Sequence, residues 1–316
     1  MKPRLVLLVL ALLMMGGCGK MDSVQTLVAQ NYTDADGLIH AYPGDRDSEY
    51  LSESIGLYME YLLLVQDEQT FSQQYDILKE HFLVQENEFH FIRWRLKENA
   101  TVNALIDDIR ILSALEGAAE TFGNEEYREL SIMLSEAISS VQVQDTHTVD
   151  FYDWPLALPA QRMTLSYADD NQAITAESFE LLENADDANV FFAEFYDTAA
   201  NKYISGSEVH MIDQLLIAMN REKRGLHSEE FSKWLKKEWA MEQKLYGRYD
   251  RKTFRATVEY ESLAVYYYLH AYFLALDETE SADEVLLHAN EIATEEMLSN
   301  AHFFDFIHYR LMLQNQ

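Results

Sequence analysis

Along most of this 316-residue chain, apolar positions recur at helical rather than strand spacing. Tyr50, Leu51, Ile55, Tyr58, Met59 and Leu62 form one apolar stripe, with Asp47 or Ser48 as the candidate N-cap. The same period predicts helices over residues 70–83, 104–121, 125–140, 175–183, 188–201, 208–221, 228–243, 258–276, 281–298 and 301–313. Past the N-terminus only Pro43, Pro155 and Pro159 interrupt the chain, and glycine is sparse, so long helices are permitted nearly everywhere. Eleven helical segments and no convincing strand predict an all-α fold. Helix pairs this regular either stack as an open solenoid or close into a toroid. No fixed-period repeat supports an array, so the closed form is expected.

The first eighteen residues break the pattern. Lys2 and Arg4 precede an apolar run from Leu5 to Met15, then Gly16, Gly17 and Cys18, the order of an export signal. The run is too short to span a bilayer, which takes roughly 20 residues. Met15-Gly16-Gly17-Cys18 resembles a bacterial lipobox, in which the cysteine is acylated and becomes the mature N-terminus. Cys18 is the only cysteine of the chain, so an internal disulfide is excluded. The expected organisation is a signal peptide over residues 1–17, a polar tether over 18–36 and one domain over 37–316. The protein is expected outside the cytoplasm, touching the bacterial membrane through its N-terminal lipid only.

Charge narrows the partners. Lys and Arg number 24 against 54 Asp and Glu, a formal net charge of −30. Loss of Lys2 and Arg4 with the signal makes the balance more negative still. Such a field repels phosphate polyanions, so nucleic acid is not an expected partner, whereas neutral or cationic polymers are allowed.

Three carboxylates stand out by position. Asp213 falls among Ile212, Ile217 and Met219 on an apolar helical face, and Asp108 lies between Ala104, Leu105, Ile111 and Leu112. Burying a carboxylate is costly unless it is paired or used. Asp107 is less inward and within reach of Arg110 at i+3.

Leu51-Ser52-Glu53-Ser54-Ile55-Gly56-Leu57-Tyr58-Met59 is similar to the Ser-Glu-Gly-Gln-Gly-Tyr-Gly-Met segment of glycoside hydrolase family 8, with Ser54 and Ile55 in place of its first glycine and glutamine. Ile92-Arg93-Trp94-Arg95 resembles the family's Met-Ala-Trp-Arg stretch, and Ala104 to Leu115 its Ala-Thr-Asp-Ala-Asp-Leu-Asp-Ile-Ala-Tyr-Ala-Leu helix. Leu165-Ser166-Tyr167 is similar to Pro-Ser-Tyr, and His210 to Leu215 to Tyr-Asp-Ala-Ile-Arg. The matches keep the family's order over nearly the whole mature chain.

This resemblance implies a single-domain (α/α)6 toroid of helical hairpins and an endo-acting hydrolase that inverts a β-linked polysaccharide such as a cellulose-like or amino-sugar polymer. It assigns Glu53 as general acid and Asp213 as general base. Asp108 is then the third carboxylate, which raises the pKa of Glu53 and holds the sugar at the cleavage point. Because Ile106 replaces the family's first aspartate in that helix, the sugar-holding role falls on either Asp107 or Asp108. A lipid-anchored member of this kind resembles the subset that accompanies exopolysaccharide synthesis, and a synthesis complex is a candidate partner.

Aromatic faces match the axial C–H groups of sugars, so Trp94, Tyr58, Trp154 and Tyr167 are candidate platforms, with Arg95 as a hydroxyl ligand. The chain has no His-Glu-x-x-His, cysteine pair or phosphate loop, so neither metal nor cofactor is expected, and a monomer is anticipated. The competing reading is a helical lipoprotein that binds polysaccharide or a partner protein without cutting it.

Overall fold

The helical period is realised in twelve α-helices among residues 23–45 and 47–314, which the computed structural model describes. They are α1 Val24–Asn31, α2 Ser52–Leu64, α3 Glu68–Ile77, α4 Leu105–Phe122, α5 Glu125–Val141, α6 Ala176–Glu183, α7 Met211–Lys223, α8 Glu229–Glu242, α9 Leu263–Ala275, α10 Thr279–Ile292, α11 Glu295–Leu298 and α12 Phe303–Gln314. The export signal and Cys18 lie outside the described residues.

Local chemistry sets several boundaries. Gly123, at φ 71°, ends α4, and the Asn124 side chain then accepts from the Glu126 N–H to start α5. Ser262 caps α9 by accepting from Val265 N–H. Helix α2 has no side-chain cap at all, so neither Asp47 nor Ser48 starts it. Its first N–H, from Ser52, donates instead to the Trp94 carbonyl at 3.0 Å.

The helices close into a toroid of six hairpins. Helix α2 packs on α4 and α12, α4 on α5, and α9 on α7, α10 and α12, so the contact between α12 and α2 joins the two ends of the chain. Helices α2 and α9 are buried on nearly every face, as an inner ring requires, whereas α8 and α10 bury single stripes, Phe231-Leu235-Trp239 and Ala282-Val285-Ala289. Gly56 lets α2 approach α4, since a Cβ there would sit 3.1 Å from Ile111 Cγ1.

Two expectations need correction. Residues 188–201 are not helical: Phe195–Asp197 is the middle strand of an antiparallel sheet with Arg162–Thr164 and Lys202–Ile204. The run Phe195-Tyr196 favours strand, Asp197 Oδ1 accepts from Ala200 N–H at 2.9 Å, and Asn201 takes φ 50°, which turns the chain back. Short antiparallel hairpins also join other helices, so the expectation of no strand fails in the connections while the all-α core stands.

Part of the segment read as a tether is packed. Val28 and Tyr32 are buried, the Tyr32 hydroxyl donates to the Ala301 carbonyl at 2.9 Å, and its ring meets Phe303 and Phe306 of the α12 hairpin. Among the described residues no helix is long and apolar enough to cross a membrane.

Candidate active site

A cleft of about 600 Å³ opens where the N-terminal turns of α2, α7 and α12 and the start of α4 converge, and Glu53, Asp213 and Asp305 all line it. Glu53 stands in the first turn of α2, where the helix dipole alone would favour its charged form. Burial outweighs the dipole, and the neighbouring Asp107 carboxylate adds to it. Against the opposing Arg110 guanidinium, and with help from Asp305, these push the Glu53 carboxyl up to about 8.

Asp107 is buried behind Glu53. Its Oδ1 accepts from Arg110 Nη1 at 3.2 Å and its Oδ2 lies 3.1 Å from Ser52 Oγ. Ser52 Oγ is also 3.2 Å from the Trp94 carbonyl, and its single proton serves one acceptor at a time. The i+3 pairing expected of Asp107 and Arg110 is therefore present. Burial raises the Asp107 carboxyl, with Arg110 and Ser52 opposing.

Asp213 sits in the first turn of α7 on another wall of the cleft. The antiparallel pairing of Glu208–His210 with Arg248–Asp250, and the Met211 N–H donated to the Gly247 carbonyl, fix where that helix begins. The buried Ser166 hydroxyl donates to Asp213 Oδ1 at 2.7 Å, and His210 Nδ1 lies 3.8 Å from Oδ2. The Ser166-Tyr167 turn thus orients one carboxylate with its first residue and lines the cleft with its second. The side chain of Asp213 is 31% exposed, so the sequence reading of a buried charge on an apolar face does not hold for it. Ile217 packs inward, whereas Ile212 lines the cleft beside Asp213, whose place in the first turn leaves it part-exposed.

The other candidates separate. Asp108 does not line the cleft; Asn103 Nδ2 donates to it and to Gln142 Oε1, so it staples the start of α4 to the end of α5. Burial lifts its carboxyl well above the usual range, and the neutral acid can donate from an otherwise unpaired oxygen. The carboxylate that acts on Glu53 is Asp107.

Of the proposed aromatic platforms only Tyr167 lines the cleft. Tyr58 is a core residue, 2% exposed and edge-on to Phe303. Trp154 is 8% exposed and stacks on Phe91, away from the cleft, because the hairpin 152–159 folds it inward. Trp94 is half-buried with the Arg95 guanidinium over its ring at 4.3 Å, and Arg95 pairs with Glu49 at 2.9 Å. Neither lines the cleft, and the Trp94 carbonyl anchors the start of α2.

Residues that the sequence reading passed over complete the site. Tyr42 and Tyr260 stand at the mouth, 49% and 54% exposed, Tyr42 edge-on to His302 and Tyr260 over Gly247. Asp305 accepts from Ser262 Oγ at 2.6 Å and from Ala264 N–H at 2.9 Å, tying α12 to the start of α9. A carboxylate inside the aromatic run Phe303-Phe304-Asp305-Phe306 was the available signal for it. Ile106 lines the cleft at the place where the family helix carries its first aspartate. Chemically, the cleft offers a carboxyl that holds a proton at neutral pH, a second carboxylate on another wall, and tyrosine faces at the entrance.

No family model matches the chain. The chain is 31% identical over 260 residues to the putative lipoprotein YdaJ of Bacillus subtilis strain 168, covering 78% of this chain and 70% of that one. PssZ from Listeria monocytogenes superposes with a TM-score of 0.85 at 34% identity, over 92% of this chain and 94% of PssZ. A novel alpha-amylase from Clostridium perfringens gives 0.80 at 21% identity, over 92% of this chain and 96% of the amylase. A cold-adapted family 8 xylanase gives 0.65 at 13% identity over 90% of this chain and 84% of the xylanase, a likeness of fold. The chain belongs to one family with PssZ and YdaJ, a divergent branch on the toroid of glycoside hydrolase family 8.

Proposed function

We propose that the protein is an endo-acting glycoside hydrolase that cuts a β-linked exopolysaccharide with inversion, Glu53 as general acid and Asp213 as general base. The observation that carries this reading is the pairing of environments: Glu53 is held protonated to about 8 by burial and Asp107, on the same cleft as the half-exposed Asp213. An acetal leaves only when its oxygen is protonated, while a second carboxylate takes a proton from the attacking water. Inversion calls for a separation of about 6.5–9.5 Å between the two carboxyl groups, so that the water fits between them. Ser166 orients the base and Asp107 keeps the proton on the acid. Incubation with a panel of purified polysaccharides, followed by analysis of product length and anomeric configuration, tests the assignment; no product from any of them, the organism's own matrix included, rejects it.

Tyr42, Tyr260 and Tyr167 are the sugar platforms of this reading. Tyr42→Ala and Tyr260→Ala are each expected to raise KM several-fold, from lost stacking of about 1 kcal/mol, with kcat little changed. Equal losses in kcat, measured on soluble oligosaccharides, would speak against a stacking role.

The non-catalytic alternative draws on the departures from the family segments. Ser54 and Ile55 are buried and do not line the cleft, so their replacement leaves the reacting surface alone. Ile106 does line it, as do Ile212 and Leu216 where the Tyr-Asp-Ala-Ile-Arg segment has its tyrosine and arginine, and these departures favour a binding protein.

The lipobox-like junction and the likeness to the putative lipoprotein YdaJ support acylation at Cys18 and a place on the outer face of the cell membrane. Cys18→Ala is expected to move the protein from the membrane fraction to the soluble exported fraction. Full retention of that variant in the membrane pellet rejects the anchor.

A further inference from the structure

Among the described residues lining the cleft, Arg110 is the one lysine or arginine. It stands a turn beyond Asp107 on α4 with its side chain only 12% exposed, Nη1 3.2 Å from Asp107 and Nε 3.9 Å from Glu60 Oε2 on α2. It also borders a second cavity of about 360 Å³ that shares Ile106, Leu216 and Tyr268 with the cleft, so its guanidinium forms part of the wall between the two. Holding a guanidinium there costs several kcal/mol of hydration unless an anion compensates it. Asp107 is that anion.

Each oxygen of Asp107 faces a donor, Oδ1 the Arg110 guanidinium and Oδ2 the Ser52 hydroxyl. Arg110 can only donate, so Oδ1 must stay an acceptor; a proton on Asp107 could sit only on Oδ2, and Ser52 would then have to turn its own proton to the Trp94 carbonyl. The Glu53 side chain makes no hydrogen bond to another described residue, and its carboxyl faces the cleft. Ser52, the residue before Glu53, bonds Asp107, and the Asp107 charge acts on Glu53; of two carboxyls that interact, the one better supplied with donors carries the charge.

We propose that Arg110 is a positioning residue that decides where the proton of the Glu53 and Asp107 pair resides: by engaging Asp107 it fixes the charge there and leaves the proton on Glu53, facing the substrate. The proposal rests on the reading of Glu53 as the acid. The other groups around Glu53 are Glu60 on its own helix, Asp213 and His210 at the start of α7, and Tyr167. Glu261 and Tyr268 face it from α9 and its approach, and Asp305, His302 and His308 from α12 and its approach. None of these makes a hydrogen bond or ion pair to Asp107, so none can replace Arg110 in holding its charge.

The test is the titration of the Glu53 carboxyl carbon in protein labelled at glutamate, its resonance identified by loss in Glu53→Gln. In the parent it should titrate near 8. In Asp107→Asn it should fall by about one pH unit, since Arg110 then acts on Glu53 uncompensated. In Arg110→Gln it should rise by about one pH unit, because two carboxyls then share a proton with no cation beside them. The double variant should lie between the two single variants, and the basic limb of the pH–rate profile should move in step. Arg110→Gln that lowers the titration, or leaves it in place, overturns the proposal. Should Arg110→Gln fail to fold, the Asp107 carboxyl carbon of parent protein labelled at aspartate decides: ionisation complete below the pH at which Glu53 titrates supports the role, and titration together with Glu53 or above it overturns it. Titrations in the stated order without hydrolysis by the parent would keep the proton placement and reject the enzyme. Glu53-dependent hydrolysis with unmoved titrations would do the reverse.

Discussion

Glu53→Gln is expected to lower the rate of polymer hydrolysis by roughly 10² to 10⁴, and Asp213→Asn by a similar factor, each removing one general-catalysis contribution. Both changes conserve shape, so polymer binding should persist. In the parent, activity should fall as pH rises through about 8, because the acid works only while Glu53 keeps its proton. That basic limb should disappear in Glu53→Gln, which has no proton to lose, and survive in Asp213→Asn. Asp108→Asn should leave the limb in place and act on stability, since Asp108 bonds Asn103 and does not line the cleft. Rates and pH profiles on one substrate separate these outcomes. Undiminished hydrolysis by Glu53→Gln would sink the mechanism, whatever the fold.

The toroid was legible because its inner helices write their burial into the sequence. Tyr266, Leu269 and Phe273 recur at helical spacing on α9, and the glycine that α2 needs against α4 stands three residues after Glu53. The segment 188–201 misled because Phe191, Phe192, Phe195 and Tyr196 fit either period over so short a run. What decided it was pairing with Arg162–Thr164, some thirty residues away, together with a left-handed Asn201, a conformation asparagine favours but does not require. Helix starts were blurred for a related reason. α2 begins on the backbone carbonyl of Trp94, a partner 42 residues distant in the chain, where a local capping side chain was expected.

The site was half legible. Glu53, Asp213, Asp107 and Tyr167 come together around the cleft because each belongs to the first turn of a helix or to the turn beside it, positions the family-like segments mark. The aromatic platforms were not, because residue type says nothing about facing. Trp154 and Tyr58 are large apolar bodies that the core takes up, while Tyr42, in a stretch without helical period, and Tyr260, which precedes the observed start of α9 at Leu263, stay at the mouth. Choosing which of Asp107 and Asp108 acts on Glu53 needed one more fact, which of them turns toward Ser52 and Glu53 and which toward Asn103, and adjacent residues on a helix differ by about 100° in direction.

The second large expectation concerns stability and follows from the same carboxyl. Glu53 ionises near 4.5 in the unfolded chain and near 8 in the fold. Below pH 4.5 both states hold the proton, and the group's contribution to folding is fully present. Between those values the unfolded state gives up its proton while the folded state keeps it, so the contribution is lost at about 1.4 kcal/mol per pH unit and then levels off above 8. Partial solvent access and the shared proton with Asp107 reduce the total to about 2 kcal/mol. Glu53→Gln removes the ionisation altogether. The variant should therefore match the parent near pH 4 and exceed its melting temperature by several degrees at pH 8.5, gaining stability at the same substitution that slows catalysis. Such an exchange is expected where a carboxyl is held in an unfavourable place for use. Denaturation of both proteins at the two pH values decides it. A constant difference across that range would mean that Glu53 is an ordinary surface carboxylate, and the acid would have to be sought elsewhere in the cleft.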